Sequence, residues 1–267
     1  MREASSALMI LLRKSTTHRF LASIVLLCTF CFVAVLPLSA STITIFNTGV
    51  NGSGAALSGG AADTHWQCSG GSCSGNAFQG LSYNSGNWPL PLTQNTTPGT
   101  GPWMASTVSG GNPVSQWISV QSNVNGGANT EYDYTQTFNL STLDPTTLEL
   151  NGFFAVDDTL LNIRMNNHVV TSFITNSATY SAPTPFDIVS TSCGVGANSC
   201  GLVSGFNTIT FQTENGFVTS ANPTGLLVEF SSATTTSSPV PEPTSLVLLG
   251  TGLVGVARRW RKSRMNS

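Results

Sequence analysis

The sequence predicts an all-β fold: a single antiparallel β-sandwich of about 190 residues, flanked by an N-terminal signal peptide and a short C-terminal transmembrane helix. Three observations support this prediction. Apolar and polar residues alternate with a period of two in several short segments, turn-forming residues separate these segments, and no stretch outside the two ends keeps a helical period. Together they favour one all-β domain.

The clearest strand covers residues 131–140, where Tyr132, Tyr134 and Phe138 share one face and the polar residues between them share the other. The same alternation predicts strands at 148–156, 161–165, 208–211 and 226–230, and weaker strands at 42–46, 116–120 and 169–174. Turn formers lie at 143–146, 166–167 and 222–225. The segment 53–112, rich in Gly, Ser and Asn, is predicted to be looser and to be held onto the sandwich by its aromatic residues.

The N-terminal end has the pattern of a secretory signal. Arg13, Lys14 and Arg19 precede an apolar run at residues 20–38, and small residues follow at 39–41. We therefore expect a signal peptide at residues 1–40, removed by signal peptidase, and a sandwich domain at residues 41–230. The basic region before the apolar run is long for a signal peptide, so Met9 is an alternative start.

The exported body differs in charge from the whole chain. The formal net charge of the chain is −2, but nine of its ten basic residues lie in the two targeting ends. Between residues 41 and 239 only Arg164 is basic, against ten acidic residues, which gives a net charge of −9. This balance disfavours binding to phosphate backbones or to anionic lipid, and it excludes nucleic acid as an expected partner.

Six cysteines occur in the chain, and Cys28 and Cys31 are lost with the signal peptide. The other four form two close pairs, which in an exported chain predict the disulfides Cys68–Cys73 and Cys193–Cys200 among three pairings. A zinc site of four thiolates is the alternative, but the spacings and an oxidising compartment disfavour it.

The C-terminal end combines a rigid motif, an apolar stretch and a basic cluster. Val240, Pro241, Glu242 and Pro243 favour extended chain because each proline fixes its own φ and restricts the residue before it. The uncharged stretch 244–257 would span about 21 Å as a helix, less than the ~30 Å hydrocarbon core. A cluster that stays on the cytoplasmic side follows it, composed of Arg258, Arg259, Arg261, Lys262 and Arg264. Residues 231–239 are rich in Ser and Thr and are predicted to be an unpacked spacer.

This tail, residues 240–267, closely resembles the PEP-CTERM sorting tail of Gram-negative bacteria. The resemblance implies that an exosortase, a membrane enzyme thought to cut near the Pro-Glu-Pro motif, is a partner. It also implies transient association with the inner membrane, followed by release to the cell surface or the extracellular matrix.

A second resemblance covers about residues 129–230. The order of the Tyr132-Asp-Tyr134 strand, Asn151-Gly152, residues 155–158 and residues 205–211 looks like the jelly-roll ectodomain common among proteins with this tail. That domain is similar to galactose-binding-like, carbohydrate-binding sandwiches. Residues 165–168 depart from the pattern, because two asparagines stand where the relatives carry a turn ending in Asn-Gly.

Catalysis is not expected from the motifs of this sequence. His65 and His168 are the only histidines of the exported body, and no lipase, zinc-protease or P-loop pattern occurs. Asp157 and Asp158 are adjacent on a strand, so they are expected to point to opposite faces rather than to act as a pair. They are candidate calcium ligands, although a solvated loop start is the simpler interpretation. No other cofactor is expected.

Candidate saccharide-binding residues are the aromatic side chains Trp66, Trp88 and Trp103, each of which could equally serve packing alone. Trp117 alternates within a strand and is more consistent with the core. The sequence therefore predicts an exported, non-catalytic surface or matrix protein that binds, or is attached to, exopolysaccharide. The alternatives are a secreted carbohydrate-active hydrolase, which needs a carboxylate pair across a cleft, and an ice- or surface-adsorbing protein, which needs regular threonine rows.

Overall fold

The structure is a computed structural model that describes residues 40–71, 73–79, 103, 108–109, 112–122, 124–171, 180–216, 222–237, 250–253, 255–256 and 261. The chain divides into two compact units, Met1–Ser39 and Ala40–Ser267. The first unit carries nearly all of the predicted signal peptide and lies outside the described residues. The second unit contains the β domain.

Fifteen strands occur in the described part of the chain. They are β1 Ala40–Thr42, β2 Ala62–Gly70, β3 Cys73–Gln79, β4 Val108–Ser109, β5 Asn112–Pro113, β6 Ile118–Ser119, β7 Asn125–Gly126, β8 Thr130–Asn139, β9 Leu143–Asp157, β10 Thr159–Met165, β11 His168–Val169, β12 Thr184–Val189, β13 Phe206–Asn215, β14 Asn222–Pro223 and β15 Gly225–Ser237.

The main sheet has eleven strands in the order β11-β10-β13-β8-β2-β3-β6-β15-β9-β12, with β1 paired to β15. Two short ribbons, β14-β7 and β4-β5, lie outside it. Every pairing among these strands is antiparallel. The predicted all-β, antiparallel fold is confirmed, while the jelly-roll assignment stays a prediction.

The two halves of this sheet enclose one main hydrophobic core. Phe211 of β13 packs against Phe154 of β9 and Trp66 of β2, with ring centroids 6.0 Å apart in each pair, and against Phe186 of β12 at 6.1 Å. These rings join strands from opposite ends of the sheet path, as in a sandwich. The predicted alternation in β8 is confirmed, since Tyr132, Tyr134 and Phe138 are buried.

The segment predicted to be loose contains a hairpin of the main sheet. Strands β2 and β3 pair with each other and join β8 to β6. The sequence does not show the apolar alternation expected of a strand here because the inward face of β2 includes the buried carboxyl of Asp63. This carboxyl accepts hydrogen bonds from the backbone N–H groups of Gly49 (2.7 Å) and His65 (3.0 Å). A charged residue on the inward face breaks the apolar alternation.

The prediction of an unpacked spacer at 231–239 is wrong for residues 231–237, which continue strand β15. Ala233 and Thr234 pair with Leu150 and Glu149 of β9, and Thr235 is only 2% exposed, its hydroxyl donating to the Asp144 carbonyl (2.6 Å). A threonine row can form a strand because β-branched side chains suit a pleated surface and the hydroxyls find partners. Ala40, predicted to end the signal peptide, pairs with Thr236 in β1.

Of the three predicted turns, one is confirmed, one is displaced, and residues 222–225 instead hold strand β14 and the first residue of β15. Asn166 and Asn167 form the predicted tight turn, with φ of 45° and 68°, because asparagine tolerates the left-handed region that such a hairpin requires. The turn predicted at 143–146 is instead the start of β9. The chain reverses earlier, at Ser141 and Thr142, where the Leu143 N–H donates to the Leu140 carbonyl (3.0 Å).

Both predicted disulfides are present. Cys68–Cys73 spans the β2–β3 hairpin, and Cys193–Cys200 closes a loop between β12 and β13. Of the C-terminal tail, residues 250–253, 255–256 and 261 are helical. No helix within the described residues has both the length and the apolar character needed to cross a bilayer. Residues 240–243 and the basic residues 258, 259, 262 and 264 lie outside the described residues.

Candidate functional site

The outward surface of strands β2, β8, β13 and β10 is almost entirely polar. Because side chains alternate along a strand, the neighbours of the buried residues in β8 and β13 point outward. Strand register places Ser69, Asp133 and Gln212 in one row and Gln67, Thr135, Thr210 and Arg164 in the next. We call this surface the polar face and define it by Gln67, Ser69, Glu131, Asp133, Thr135, Asn162, Arg164, Thr210 and Gln212.

An open cleft of about 150 Å³ lies at one end of the polar face, lined by Ser69, Gly70, Glu131, Asp133 and Gln212. Gln212 Nε2 donates to Glu131 Oε2 (3.1 Å), and Asn162 Nδ2 donates to Gln212 Oε1 (2.6 Å). Arg164 Nη2 lies 2.6 Å from Asp133 Oδ2. The cleft is therefore bordered by the hydrogen-bonded series Asn162–Gln212–Glu131 and by the separate Arg164–Asp133 ion pair.

Three polar atoms beside this cleft have unused hydrogen-bonding capacity. Asp133 Oδ1, Asn162 Oδ1 and Arg164 Nε are shielded from solvent and have no hydrogen-bond partner within the described part of the chain. Buried polar groups are normally paired, so unpaired ones at a cleft mark a place where a ligand or ordered water completes the network. Two acceptors and one donor suit a ligand that is both a donor and an acceptor, such as a sugar hydroxyl.

The charge around the cleft is negative. Asp133 neutralises Arg164, while Glu131 and its register partner Glu214 remain as acidic groups. An anionic ligand would meet these carboxylates, whereas a neutral, hydroxyl-rich ligand would not be repelled.

Four threonines extend the polar face away from the cleft. Thr135 pairs with Thr210, and Thr137 pairs with Thr208, which gives a patch two strands wide. The Thr135 and Thr210 hydroxyls are 2.9 Å apart and bond to each other, and Thr210 is 6% exposed. This patch is small, and three of its four hydroxyls already have protein partners, since Thr208 Oγ1 donates to Asn166 Oδ1 (3.4 Å).

The predicted saccharide-binding tryptophans do not form a surface site. Trp66 is fully buried in the main core, and Trp103 is 7% exposed and packs at a tilt against Trp117 with ring centroids 4.4 Å apart. The prediction for these two residues is wrong because their ring faces are covered by protein. Trp88 lies outside the described residues.

The expectation that Asp157 and Asp158 point apart is also wrong. The two carboxyls share a hydrogen bond at the end of β9, where Asp157 also accepts the Trp103 indole N–H (2.5 Å) and Asp158 accepts the Gly216 N–H (2.7 Å). Burial, then the hydrogen bond and charge of Asp158, raise the pKa of Asp157 to about 8, and the Trp103 bond opposes this. The pair is thus a protonated structural contact at neutral pH.

Calcium at this pair would have to displace the proton that the raised pKa of Asp157 favours. Within the described ranges, no three His, Cys, Asp or Glu side chains are grouped closely enough to hold a metal ion. The two histidines are also held by structural contacts. His65 stacks on Phe46 with ring centroids 3.7 Å apart, and His168 lies against Gly201.

The residues of the cleft were missed by sequence reasoning, although a signal was present. Arg164 is the single basic residue of the exported body, and Glu131 and Asp133 alternate on the outward face of the clearest strand. Which of the ten acidic residues lies beside this cation depends on strand register, so the sequence alone did not identify Asp133 as its partner.

Comparison with known proteins gives one match. Residues 239–262 match the family model of the PEP-CTERM protein-sorting motif. No curated protein and no solved structure matches the chain. The motif indicates a protein that is exported, processed by an exosortase and destined for the cell surface or extracellular space, and it covers only the tail.

Proposed function

We propose that this exosortase-sorted protein is a non-catalytic surface or matrix component that binds exopolysaccharide through the cleft of the polar face. Its tail remains in the inner membrane until the exosortase cuts near residues 240–243. The observation that carries the binding proposal is the group of unpaired atoms on Asp133, Asn162 and Arg164 beside an open cleft.

The chemistry of the cleft favours a neutral polysaccharide. Sugar hydroxyls can accept from Arg164 Nε and donate to the free oxygens of Asp133 and Asn162. A uronic-acid polymer would instead be repelled by the carboxylates of Glu131 and Glu214. Because the cleft is open and has a volume of only about 150 Å³, it suits one or two sugar units of a chain, with avidity arising from many protein copies along the polymer.

The test is co-sedimentation of the processed protein with the producer's own exopolysaccharide, with and without EDTA, while released reducing sugar is assayed. Asp133→Asn should weaken retention about tenfold, since it removes a charged hydrogen-bond acceptor and its ion pair. Asp187→Asn is the matched control, because Asp187 is exposed on β12, away from the cleft. Equal retention of both variants, or no retention of the wild type, would contradict the proposal.

A hydrolase is the second candidate, and one observation favours it. Glu131 and Asp133 line the same cleft two positions apart on β8, a spacing of about 7 Å along a strand, and glycosidases use two carboxyls about 5–9.5 Å apart. Both lie on one wall, however, and Asp133 is paired with Arg164, so neither faces the other across a bond. Release of sugar that is lost in Glu131→Gln would establish this second function in place of the first. If the wild-type protein is retained without EDTA but not with it, calcium is required for binding.

A further inference from the structure

The two ends of the β domain emerge at the same end of the sandwich. Ala40 pairs with Thr236, and Ser237, the last residue of β15, pairs with Leu143 at the start of β9. The turn at 141–142 links this point to the end of β8, where Phe206 pairs with Asn139. We call this the exit end, defined by Ala40, the 141–142 turn, the 190–206 loop and Ser237.

Three large apolar side chains are exposed on the 190–206 loop, whose last residue, Phe206, is also the first residue of β13. Val195, Val203 and Phe206 have exposed fractions of 105%, 52% and 74%. The loop is fixed at the exit end, because the Ser190 hydroxyl donates to the Thr146 carbonyl of β9 (2.6 Å) and the Leu140 N–H donates to the Gly205 carbonyl (2.7 Å). These three residues form what we call the apolar rim.

The apolar rim lies in a stretch of chain without charge. No acidic or basic residue occurs between Asp187 and Glu214, although the exported body as a whole is strongly acidic. The loop is also rigidly held by the Cys193–Cys200 disulfide and by the Asn207 side chain, which bonds the backbone at Val203 and Gly205. A fixed, uncharged loop can present apolar groups to a lipid interface without desolvating a charge.

The length of the connecting chain keeps the exit end near the membrane. Only residues 238–243 separate Ser237 from the apolar stretch that begins at Thr244. Six residues span at most about 20 Å when fully extended. The strand character of residues 231–237 removes the longer spacer that the sequence predicted, so the domain cannot move far from the bilayer while the tail is uncut.

We propose that, before the tail is cut, the apolar rim docks on the outer surface of the bilayer that holds the tail. This inference rests on the proposed membrane insertion of the tail. Docking orients the sandwich with its exit end toward the lipid and holds residues 240–243 at the membrane surface, where a membrane-embedded exosortase can reach them. Cutting removes the tether, and the contact of the three side chains of the apolar rim is then too weak to hold the protein at the membrane.

The test uses the full-length chain reconstituted into vesicles of phosphatidylethanolamine and phosphatidylcholine, which carry no net charge. Phe206→benzoylphenylalanine places a photo-crosslinker on the apolar rim, and Ser69→benzoylphenylalanine places the matched control at the exposed far end of the polar face. We expect the lipid adduct at position 206 at about ten times the yield at position 69, unchanged by salt because the contact is apolar. An insertion of about thirty Gly and Ser residues after Ser238 should reduce the adduct at position 206 strongly.

Flotation of the unirradiated vesicles tests membrane insertion of the tail separately from docking of the apolar rim. A chain that does not float with vesicles overturns membrane insertion of the tail and the docking together. A chain that floats but gives equal lipid adducts at positions 206 and 69 overturns docking alone. Docking on lipid is also overturned if position 206 crosslinks to a second copy of the protein, or to added exopolysaccharide in place of lipid. Either result would show that the apolar rim has a different partner.

Discussion

Arg164 and Asp133 form an ion pair across an intervening strand: Arg164 lies on β10, Asp133 lies on β8, and β13 runs between them. The 2.6 Å contact uses the single basic residue of the exported body to neutralise one of its ten acidic residues. The pair also leaves one oxygen of Asp133 and one nitrogen of Arg164 without a hydrogen-bond partner within the described part of the chain. The most distinctive charge of the domain therefore belongs to its candidate binding surface.

The ion pair is expected to matter more for binding than for stability. Side chains of Arg164 and Asp133 are 22% and 31% exposed, so solvent screens the pair. A double-mutant cycle with Arg164→Gln and Asp133→Asn should give a coupling free energy of about 0.5–1 kcal/mol in urea unfolding. A coupling several times larger would show that the pair is a structural element rather than a screened surface contact.

Asp157 should make the domain less stable as the pH rises. Its pKa is about 8 in the folded state against an ordinary 3.8, so the folded protein keeps a proton that the unfolded chain releases between these values. The free energy of unfolding should therefore fall as the pH rises from about 4 to about 8 and then level off. Asp157→Asn, which mimics the protonated carboxyl, should remove most of this slope.

Urea unfolding near pH 5 and near pH 8 measures how the free energy of unfolding changes with pH in the wild type and in Asp157→Asn. Burial also raises the pKa of Asp63, so a smaller slope of the same sign should remain in Asp157→Asn. An identical slope in wild type and variant would contradict the assignment of the proton to the Asp157–Asp158 pair.

Gly152 is expected to be irreplaceable in β9. A Cβ at this position would lie 2.1 Å from the Glu229 carbonyl oxygen and 2.7 Å from the Phe186 ring, beside a register shift of β15. Gly152→Ala should destabilise the domain by about 2–4 kcal/mol, because backbone must move to make room. Gly52→Ala is the control, since its Cβ would have no neighbour closer than 4.0 Å. Equal unfolding midpoints for the two variants would refute this expectation.

The end of the folded domain should lie at residue 237 rather than at residue 230. A chain covering residues 40–230 loses the pairs that residues 232–237 make with β9 and β1. Relative to a chain covering residues 40–237, we expect it to lose at least about 3 kcal/mol of unfolding free energy, given about 1 kcal/mol for each buried hydrogen bond lost. Thermal unfolding followed by near-ultraviolet circular dichroism compares the two, and matching midpoints would place the boundary at residue 230.

Local patterns in the sequence were sufficient for much of the fold. The alternation of Tyr132, Tyr134 and Phe138 predicted β8, the two close cysteine pairs predicted both disulfides, and Asn166-Asn167 predicted a hairpin turn. Each of these features depends on residues fewer than ten positions apart, so backbone sterics and short-range packing decide it. The sorting motif was equally readable because it is a short linear signal.

The sequence was less informative where a residue's role depends on a distant partner. The threonines at 234–236 look like a linker until β9 and β1 supply their strand partners, and Trp103 looks exposed until Asp157, 54 residues away, receives its indole N–H. The polar character of each residue was visible, but whether a polar group is solvated or satisfied internally depends on which strands lie beside it.

By itself, then, the sequence determined the all-β class, the export and sorting of the chain, the disulfides and the acidic charge of the exported body. Only the tertiary structure decided that Arg164 meets Asp133, that burial and the neighbouring Asp158 raise the pKa of Asp157, and that the chain leaves the sandwich beside an exposed apolar rim. The physical reason is register. Local sequence selects strands, but the pairing of strands far apart in the chain places particular side chains together, and a shift of one residue would turn each of them to the other face.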